Sequence, residues 1–232
     1  MREIALIIAF LYALTVTGQT ARENKKSVFG ASAGLTLPHG DFALKTLTGK
    51  AGFASAGANA EVQLMRYTGR FFGLASTIGY ANIFISEKTF AAEYDRLLNG
   101  YGSTRVKAGN YQSLTGMIGL ILKFPEVKGT DILFLFQAGA AMTVHPSITA
   151  ANSVLGDINK IEKDVTFSAV GNAEIRINHW LNDRYGLSLS YGRTSSTPSF
   201  DDETSNSGFF SLPVNYQNLN VGFVMNLAKS NR

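Results

Sequence analysis

Leu219-Asn220-Val221-Gly222-Phe223-Val224-Met225-Asn226-Leu227 is a stretch of strict alternation. Successive side chains of a β-strand point to opposite sides, so Leu219, Val221, Phe223, Met225 and Leu227 share one face. Asn220, Gly222, Val224 and Asn226 form the other. One face is greasy and the other is mostly small and polar. Toward the N-terminus the same period recurs. The first run sets Phe29, Ala31, Ala33, Leu35 and Leu37 against Gly30, Ser32, Gly34 and Thr36. The fifth sets Ile132, Phe134, Phe136, Ala138, Ala140, Met142 and Val144 against Gln137, Gly139, Ala141 and Thr143, although Leu133 and Leu135 break the pattern on its second face. The sixth sets Val165, Phe167, Ala169, Ala173, Ile175 and Ile177 against Thr166, Ser168, Asn172, Glu174 and Arg176. Runs at about 53–66, 71–85, 111–124 and 185–194 fit the template less cleanly. All reach the ~9–11 residues that a tilted strand needs to cross a bilayer.

The links between runs are residues 38–52, 66–70, 86–110, 125–130, 145–164, 181–184 and 195–213. They alternate long and short. That rhythm belongs to an up-and-down barrel of a bacterial outer membrane, with tight periplasmic turns and longer extracellular loops. The expected fold is therefore all-β, an eight-stranded antiparallel transmembrane β-barrel over residues 27–227, with four long outer loops and both termini periplasmic. A soluble lipid-binding barrel, apolar face inward, is the structural alternative. Two features oppose it. The polar face carries Gly, Ser, Ala and Asn rather than the Lys, Glu and Thr of a water-facing sheet. Aromatic residues also gather near the run ends: Tyr67, Phe71, Phe72, Phe124, Trp180 and Tyr185 on one side, Tyr80, Phe84, Tyr111, Tyr191 and Tyr216 on the other. Two such belts are expected to mark two membrane–water interfaces.

The N-terminus fits an envelope protein. Met1-Arg2, the apolar run Ile4 to Val16, and Thr17-Gly18-Gln19 make the three parts of a secretory signal, with cleavage expected after Gly18. Residues 19–26 would then be a periplasmic tail, and 228–232 a short C-terminal one. The chain has no Cys, which excludes a lipoprotein anchor and a disulfide framework. Charged residues make up 16% of the 232, against the ~25% of a soluble domain. The net charge is +4, with no basic run interleaved with aromatics, so nucleic acid is not an expected partner.

The opening Phe29-Gly30-Ala31-Ser32-Ala33-Gly34-Leu35, followed by Pro38-His39-Gly40-Asp41-Phe42, and the closing Leu219–Leu227 strand resemble those of the small outer-membrane β-barrel families, the OmpA/OmpX type and the PorT-like group. The resemblance implies insertion by the barrel-assembly machinery of a Gram-negative cell envelope, and it admits a role in secretion-system assembly. One departure is the tail Ala228–Arg232, since such final strands often end the chain on an aromatic. No peptidoglycan-binding domain is expected.

The inward charges should meet. Glu61 and Gln63 on the second strand lie as far above the first short turn as Glu174 and Arg176 on the sixth lie above the third. Gln137 and Asn220 arrive near the same height. Charges inside a barrel must be paired, so a polar plug is expected in which Arg176 bridges Glu61 and Glu174. The sharper reading is a gated ion path at that level. Catalysis would need His beside Ser, Asp or Glu. The three His are His39 beside Asp41, His145 before Pro146-Ser147, and His179 near a short turn. None belongs to a lipase, palmitoyltransferase or protease motif. No cofactor and no metal are expected.

The outer loops hold further candidates. Residues 89–98 are predicted helical, capped by Thr89 and ended by Asn99-Gly100, with Phe90, Tyr94, Leu97 and Leu98 on one face. Residues 147–155 are predicted as a second helix stopped by Gly156. Asp201-Asp202-Glu203 reads as a solvated acidic run, and Phe209-Phe210 as a hairpin edge or docking patch. Phe90, Tyr94, Leu97, Phe209 and Phe210 are thus the candidates for contact with a partner. The function expected is a non-enzymatic structural or accessory barrel that presents ordered loops to an envelope protein or lipopolysaccharide. The alternatives are a narrow gated channel and, third, a surface lipid hydrolase using His145 or His39.

Overall fold

The computed structural model describes residues 27–47, 51–201 and 209–227. The expected signal (1–18), the tails 19–26 and 228–232, and Asp202 and Glu203 of the acidic run lie outside the described residues. In chain order the strands are β1 (Ser27–Pro38), β2 (Ala54–Tyr67), β3 (Phe72–Ile85), β4 (Thr104–Ala108), β5 (Tyr111–Lys123), β6 (Thr130–His145), β7 (Ile148–Asn152), β8 (Gly156–Ile161), β9 (Asp164–Trp180), β10 (Tyr185–Ser196), β11 (Ser199–Asp201), β12 (Phe209–Ser211) and β13 (Val214–Asn226). Among the described residues one helix, α1 (Glu87–Leu97), and a 3-10 turn at Gly40–Ala43 interrupt them.

Eight strands close into a barrel in the order β1-β13-β10-β9-β6-β5-β3-β2, and every neighbouring pair is antiparallel. Cross-strand partners followed from Leu37 run through Gln217, Arg193, Ala173, Phe136, Leu120, Leu74 and Arg66 and return to β1 at Ser27, ten residues lower. A shear of ten over eight strands goes with a tilt of about 40° and an interior that side chains can fill. The ends Ser27 and Leu227 meet at the short-turn end, where the Leu227 amide donates to the Ser27 carbonyl at 2.8 Å. The greasy face of each run is the outer wall: Leu219, Val221, Phe223, Ile118 and Phe167 are exposed, while Asn220 and Val224 are buried.

The lumen is stacked in layers. At the short-turn end an apolar floor is packed from Val28, Met65, Tyr67, Ala75, Ile121, Leu133, Leu135, Trp180 and Val224. Leu133 and Leu135, which spoil the alternation of β6 in sequence, belong to this floor. A polar layer follows. At the long-loop end Phe42, Ala54, Ala81, Ile83, Tyr111, Phe200, Leu212, Val214 and Tyr216 close the mouth. Phe42 and Phe200 enter from the first and last long loops, and edge-to-face contacts link Phe42 to Tyr111, Tyr111 to His145 and His145 to Phe200.

Above the mouth two loops fold together. β4, from the second long loop, pairs with β7, from the third, and β7 with β8, giving a three-stranded antiparallel sheet. The sheet and α1 enclose Phe53, Phe90, Val106, Ile148 and Ala150.

Three expectations are corrected. Residues 147–155 are not helical: Ile148–Asn152 form β7, and Asn152 starts the turn into β8 by accepting from the amides of Val154 and Leu155 at 2.9 and 3.2 Å. Ser86, not Thr89, stands at the start of α1, and its hydroxyl bonds the Thr89 hydroxyl at 2.7 Å. The aromatic belts are thinner than expected. Phe71, Phe72, Phe124 and Tyr185 face outward at one end and Tyr80 and Phe84 toward the other, but Tyr67, Trp180, Tyr111 and Tyr216 are turned into the lumen. Proximity to a strand end is shared by both faces, and only the pleat decides the side. Strand ends otherwise differ from the expected ones by a residue or two.

Candidate functional site

The charged layer across the lumen is built by two strands on opposite sides of the barrel. Glu174 and Arg176 lie two residues apart on β9 and so share its inner face, and Glu61 comes from the inner face of β2. The Arg176 guanidinium donates through Nε to Glu174 Oε1 at 2.7 Å, and Nη2 reaches Glu61 Oε1. Ser32 on β1, the cross-strand partner of Glu61, donates its hydroxyl to the same carboxylate oxygen at 3.0 Å. Arg176 is 1% exposed. The layer has room for the guanidinium because position 30 is glycine: a Cβ there would stand 3.3 Å from Arg176 Nη1. A buried ion pair yields little net stability, but removing one partner strands the other in a poorly solvated space.

A neutral chain runs beside the ions. Gln63 and Gln137 meet over the Thr77 hydroxyl, with Nε2 to Oγ1 distances of 2.9 and 2.8 Å. Asn172 donates to Gln137 Oε1 at 3.4 Å, and the Thr194 hydroxyl donates to Asn172 Oδ1 at 3.3 Å. Of the residues expected at this level, Glu61, Glu174 and Arg176 form one unit and Gln63 and Gln137 another. Asn220 Oδ1 is buried without a hydrogen bond. Just above Glu61 a polar cavity of about 20 Å³ is lined by Asn59, Glu61, Thr115, Asn172, Thr194 and Asn218, among others, room for a water or two.

Sequence reasoning missed a second ionic lock below the floor. Asp131 is fully buried, 3.0 Å from Lys123 Nζ, and accepts from Trp180 Nε1 at 2.8 Å. The Lys123 ammonium also lies over the Tyr67 ring, 5.0 Å from its centroid. The signal was present: Asp131 shares its pleat with Leu133, Leu135 and Gln137.

His145 is buried in the aromatic collar with Nδ1 2.9 Å from the Pro146 carbonyl. A carbonyl only accepts, so Nδ1 carries the proton. His179 Nδ1 meets the Thr130 hydroxyl at 3.0 Å. His39 Nε2 has no partner among the described residues; burial, and after it the Arg193 charge, holds this imidazole below its ordinary pKa. No cluster of three metal-ligating side chains occurs among the described residues.

Of the loop candidates, Phe90 is buried and stacks on Phe53 with centroids 4.1 Å apart. Tyr94 stacks on Phe90 at 5.5 Å, and its hydroxyl accepts from Asn159 Nδ2 at 2.8 Å. Both hold the cap together. Leu97 is 49% exposed. Phe209 and Phe210 lie on β12, paired with Asp201 and Phe200 of β11; their side chains lie outside the described set.

No protein-family model and no curated protein matches the chain. Among solved structures it is similar to Ail, the attachment invasion locus protein of Yersinia pestis, at 10% identity over 86% of this chain and 99% of that one, with a TM-score of 0.46. It is similar to Neisserial surface protein A (NspA) at 10% identity over 87% and 97%, TM-score 0.45. It is similar to a major outer membrane protein from Thermus thermophilus at 10% identity over 86% and 98%, TM-score 0.45. Likenesses this distant say nothing of activity.

Proposed function

We propose that the chain is a non-enzymatic outer-membrane barrel that does not conduct and that serves as a rigid mount for its two-loop cap, held out to lipopolysaccharide or to another envelope protein. The observation that carries this reading is the closed lumen. An apolar floor, an ion-paired layer and an aromatic mouth lie one above another. A barrel so filled has given its interior over to rigidity, and what it offers to binding lies on its surface. The exposed greasy wall suits hydrocarbon on every side of the barrel.

The test has two parts. Purified, refolded protein in planar bilayers is expected to show no steady conductance. Membranes of expressing cells are expected to yield the protein in the outer-membrane fraction with a gel mobility that changes on heating. A steady current would overturn the mount in favour of a channel, and recovery from the cytosol would overturn the location.

A further inference from the structure

Charge is scarce on the outer wall. Among the described barrel-strand residues only Arg66, at the short-turn end, and Arg193 are charged and exposed on the outward pleat. Arg193 lies on β10 opposite Gln217 of β13. One pleat higher Ser195 faces Asn215, and the Ser195 hydroxyl donates to Asn215 Oδ1 at 2.5 Å. The four make a polar block two strands wide, and at the level of Arg193 the rest of the wall is apolar.

The height follows from the register. At a tilt of about 40° each residue climbs roughly 2.5 Å along the axis and each neighbouring strand adds roughly 3 Å, which sets Arg193 roughly 19 Å above Ser27. An apolar band about 25 Å tall that starts at the outward ring of Phe72, Phe124 and Tyr185 therefore still surrounds it. Elsewhere around the barrel the outward residues near that level are Leu35, Ala60, Ile78, Gly116 and Ala138. So Arg193 is a cation set within the hydrocarbon edge, not the first residue of the aqueous zone. An ionisable group at such a depth calls for a partner. No ion pair or hydrogen bond joins it to another described residue, and the side chain is long enough to reach up to the headgroup level. On its β9 side the wall is flat: its partner is Ala173, and a Cβ on Gly171, beside Ser195, would meet nothing within 4 Å.

We propose that Arg193, with Gln217, Asn215 and Ser195, seats the phosphate of a lipid headgroup in the leaflet at the long-loop end. The guanidinium fork matches a phosphate bidentately. The Gln217 amide is a further donor. Ser195 occupies Asn215 Oδ1 and so leaves the Asn215 Nδ2 as a donor. The inference rests on the reading of the chain as a membrane-spanning barrel.

The test uses the full mature chain, refolded into vesicles of phosphatidylcholine alone or with one-tenth phosphatidic acid or diphosphorylated lipid A. Flotation with the vesicles scores insertion, and native mass spectrometry after detergent extraction counts the phosphate-monoester lipids retained. Wild type is expected to retain them over phosphatidylcholine. Arg193→Gln is expected to lose at least about tenfold of that preference, with Arg193→Lys intermediate and Arg66→Gln unchanged. Equal retention by wild type and Arg193→Gln, or equal loss in Arg66→Gln, would overturn the seat while leaving the barrel reading intact. Failure to float with any vesicle would sink the barrel reading itself. Millimolar inorganic phosphate in detergent separates the sources: displacement only by phosphorylated lipid supports the headgroup seat, and full displacement by free phosphate overturns it.

Discussion

Replacing Arg176 by Ala removes the only cation between Glu61 and Glu174. Both carboxylates stay inside a layer roofed and floored by apolar side chains, and both lose their guanidinium bonds. Breaking a buried pair by deleting one partner costs about 3–5 kcal/mol. Glu61→Gln is gentler. Its amide oxygen still accepts from Ser32 and Arg176, and Glu174 still neutralises the guanidinium, so the loss should be about 1 kcal/mol, the worth of one charge-assisted bond reduced to a neutral one. The triple change Glu61→Gln, Glu174→Gln and Arg176→Met removes every charge together and should recover most of what Arg176→Ala loses, because no ion is stranded. Equilibrium unfolding in urea from vesicles, read by heat-dependent gel mobility, measures all three. If Arg176→Ala and Glu61→Gln destabilise equally, or if the triple variant is worse than Arg176→Ala, the layer is not an ion-pair lock and the reasoning fails.

Val221→Arg, on the outward pleat near mid-height, should destabilise the barrel by ~2–4 kcal/mol, whereas Asn220→Ser, whose Oδ1 has no partner to lose, should change stability by less than about 1 kcal/mol; similar effects at both sites would contradict the assignment of faces. Trp180 is the only tryptophan, and it is walled inside the floor, so its emission should resist both acrylamide and brominated lipids, and strong quenching by the lipids would return it to the belt. Cys introduced at Lys107 or Lys160 should react with an impermeant maleimide on intact cells and Cys at Asp183 should not, and labelling at Asp183 alone would invert the orientation. Glu93 is held below the ordinary carboxylate pKa chiefly by its hydrogen bond from Arg96, and it also accepts from the Leu47 amide. The contact it makes is therefore in place above the unfolded carboxylate pKa and released as pH falls through the lowered folded value. Hydrogen exchange at Leu47, corrected for intrinsic rate, should show protection at pH 7 that falls away on acidification through the lowered Glu93 pKa, and protection that never declines on acidification would contradict it.

The period of two and the long–short rhythm were enough to place eight strands and their faces from the sequence, because a closed antiparallel wall imposes both locally; α1 was legible separately, from the helical spacing of Phe90, Tyr94 and Leu97 and the Asn99-Gly100 stop. Glu61, Glu174 and Arg176 could be brought together by counting residues from the short turns. What could not be counted were features set by contacts between distant loops. Ile148–Asn152 is a short apolar run whose helical and extended readings are equal in isolation, and the partner that decides it, β4, lies beyond an intervening hairpin. Trp180 and Tyr67, by contrast, lie in steps of two from Arg176 and Gln63 and so share their inward pleat; nearness to a strand end was the weaker guide. The mate that draws Trp180 inward is Asp131, 49 residues earlier in the chain but close by across the β6–β9 ladder.

The sheet that joins β4 to β7 binds the segment preceding β5 to the segment following β6. The β5–β6 hairpin is thereby threaded through the wall and knotted off above it, like a toggle passed through a buttonhole. Neither strand can slide back toward the short-turn end until that sheet has come apart. Retraction of the hairpin and dissolution of the cap are one event, so the cap sets the order in which this part of the barrel can be dismantled.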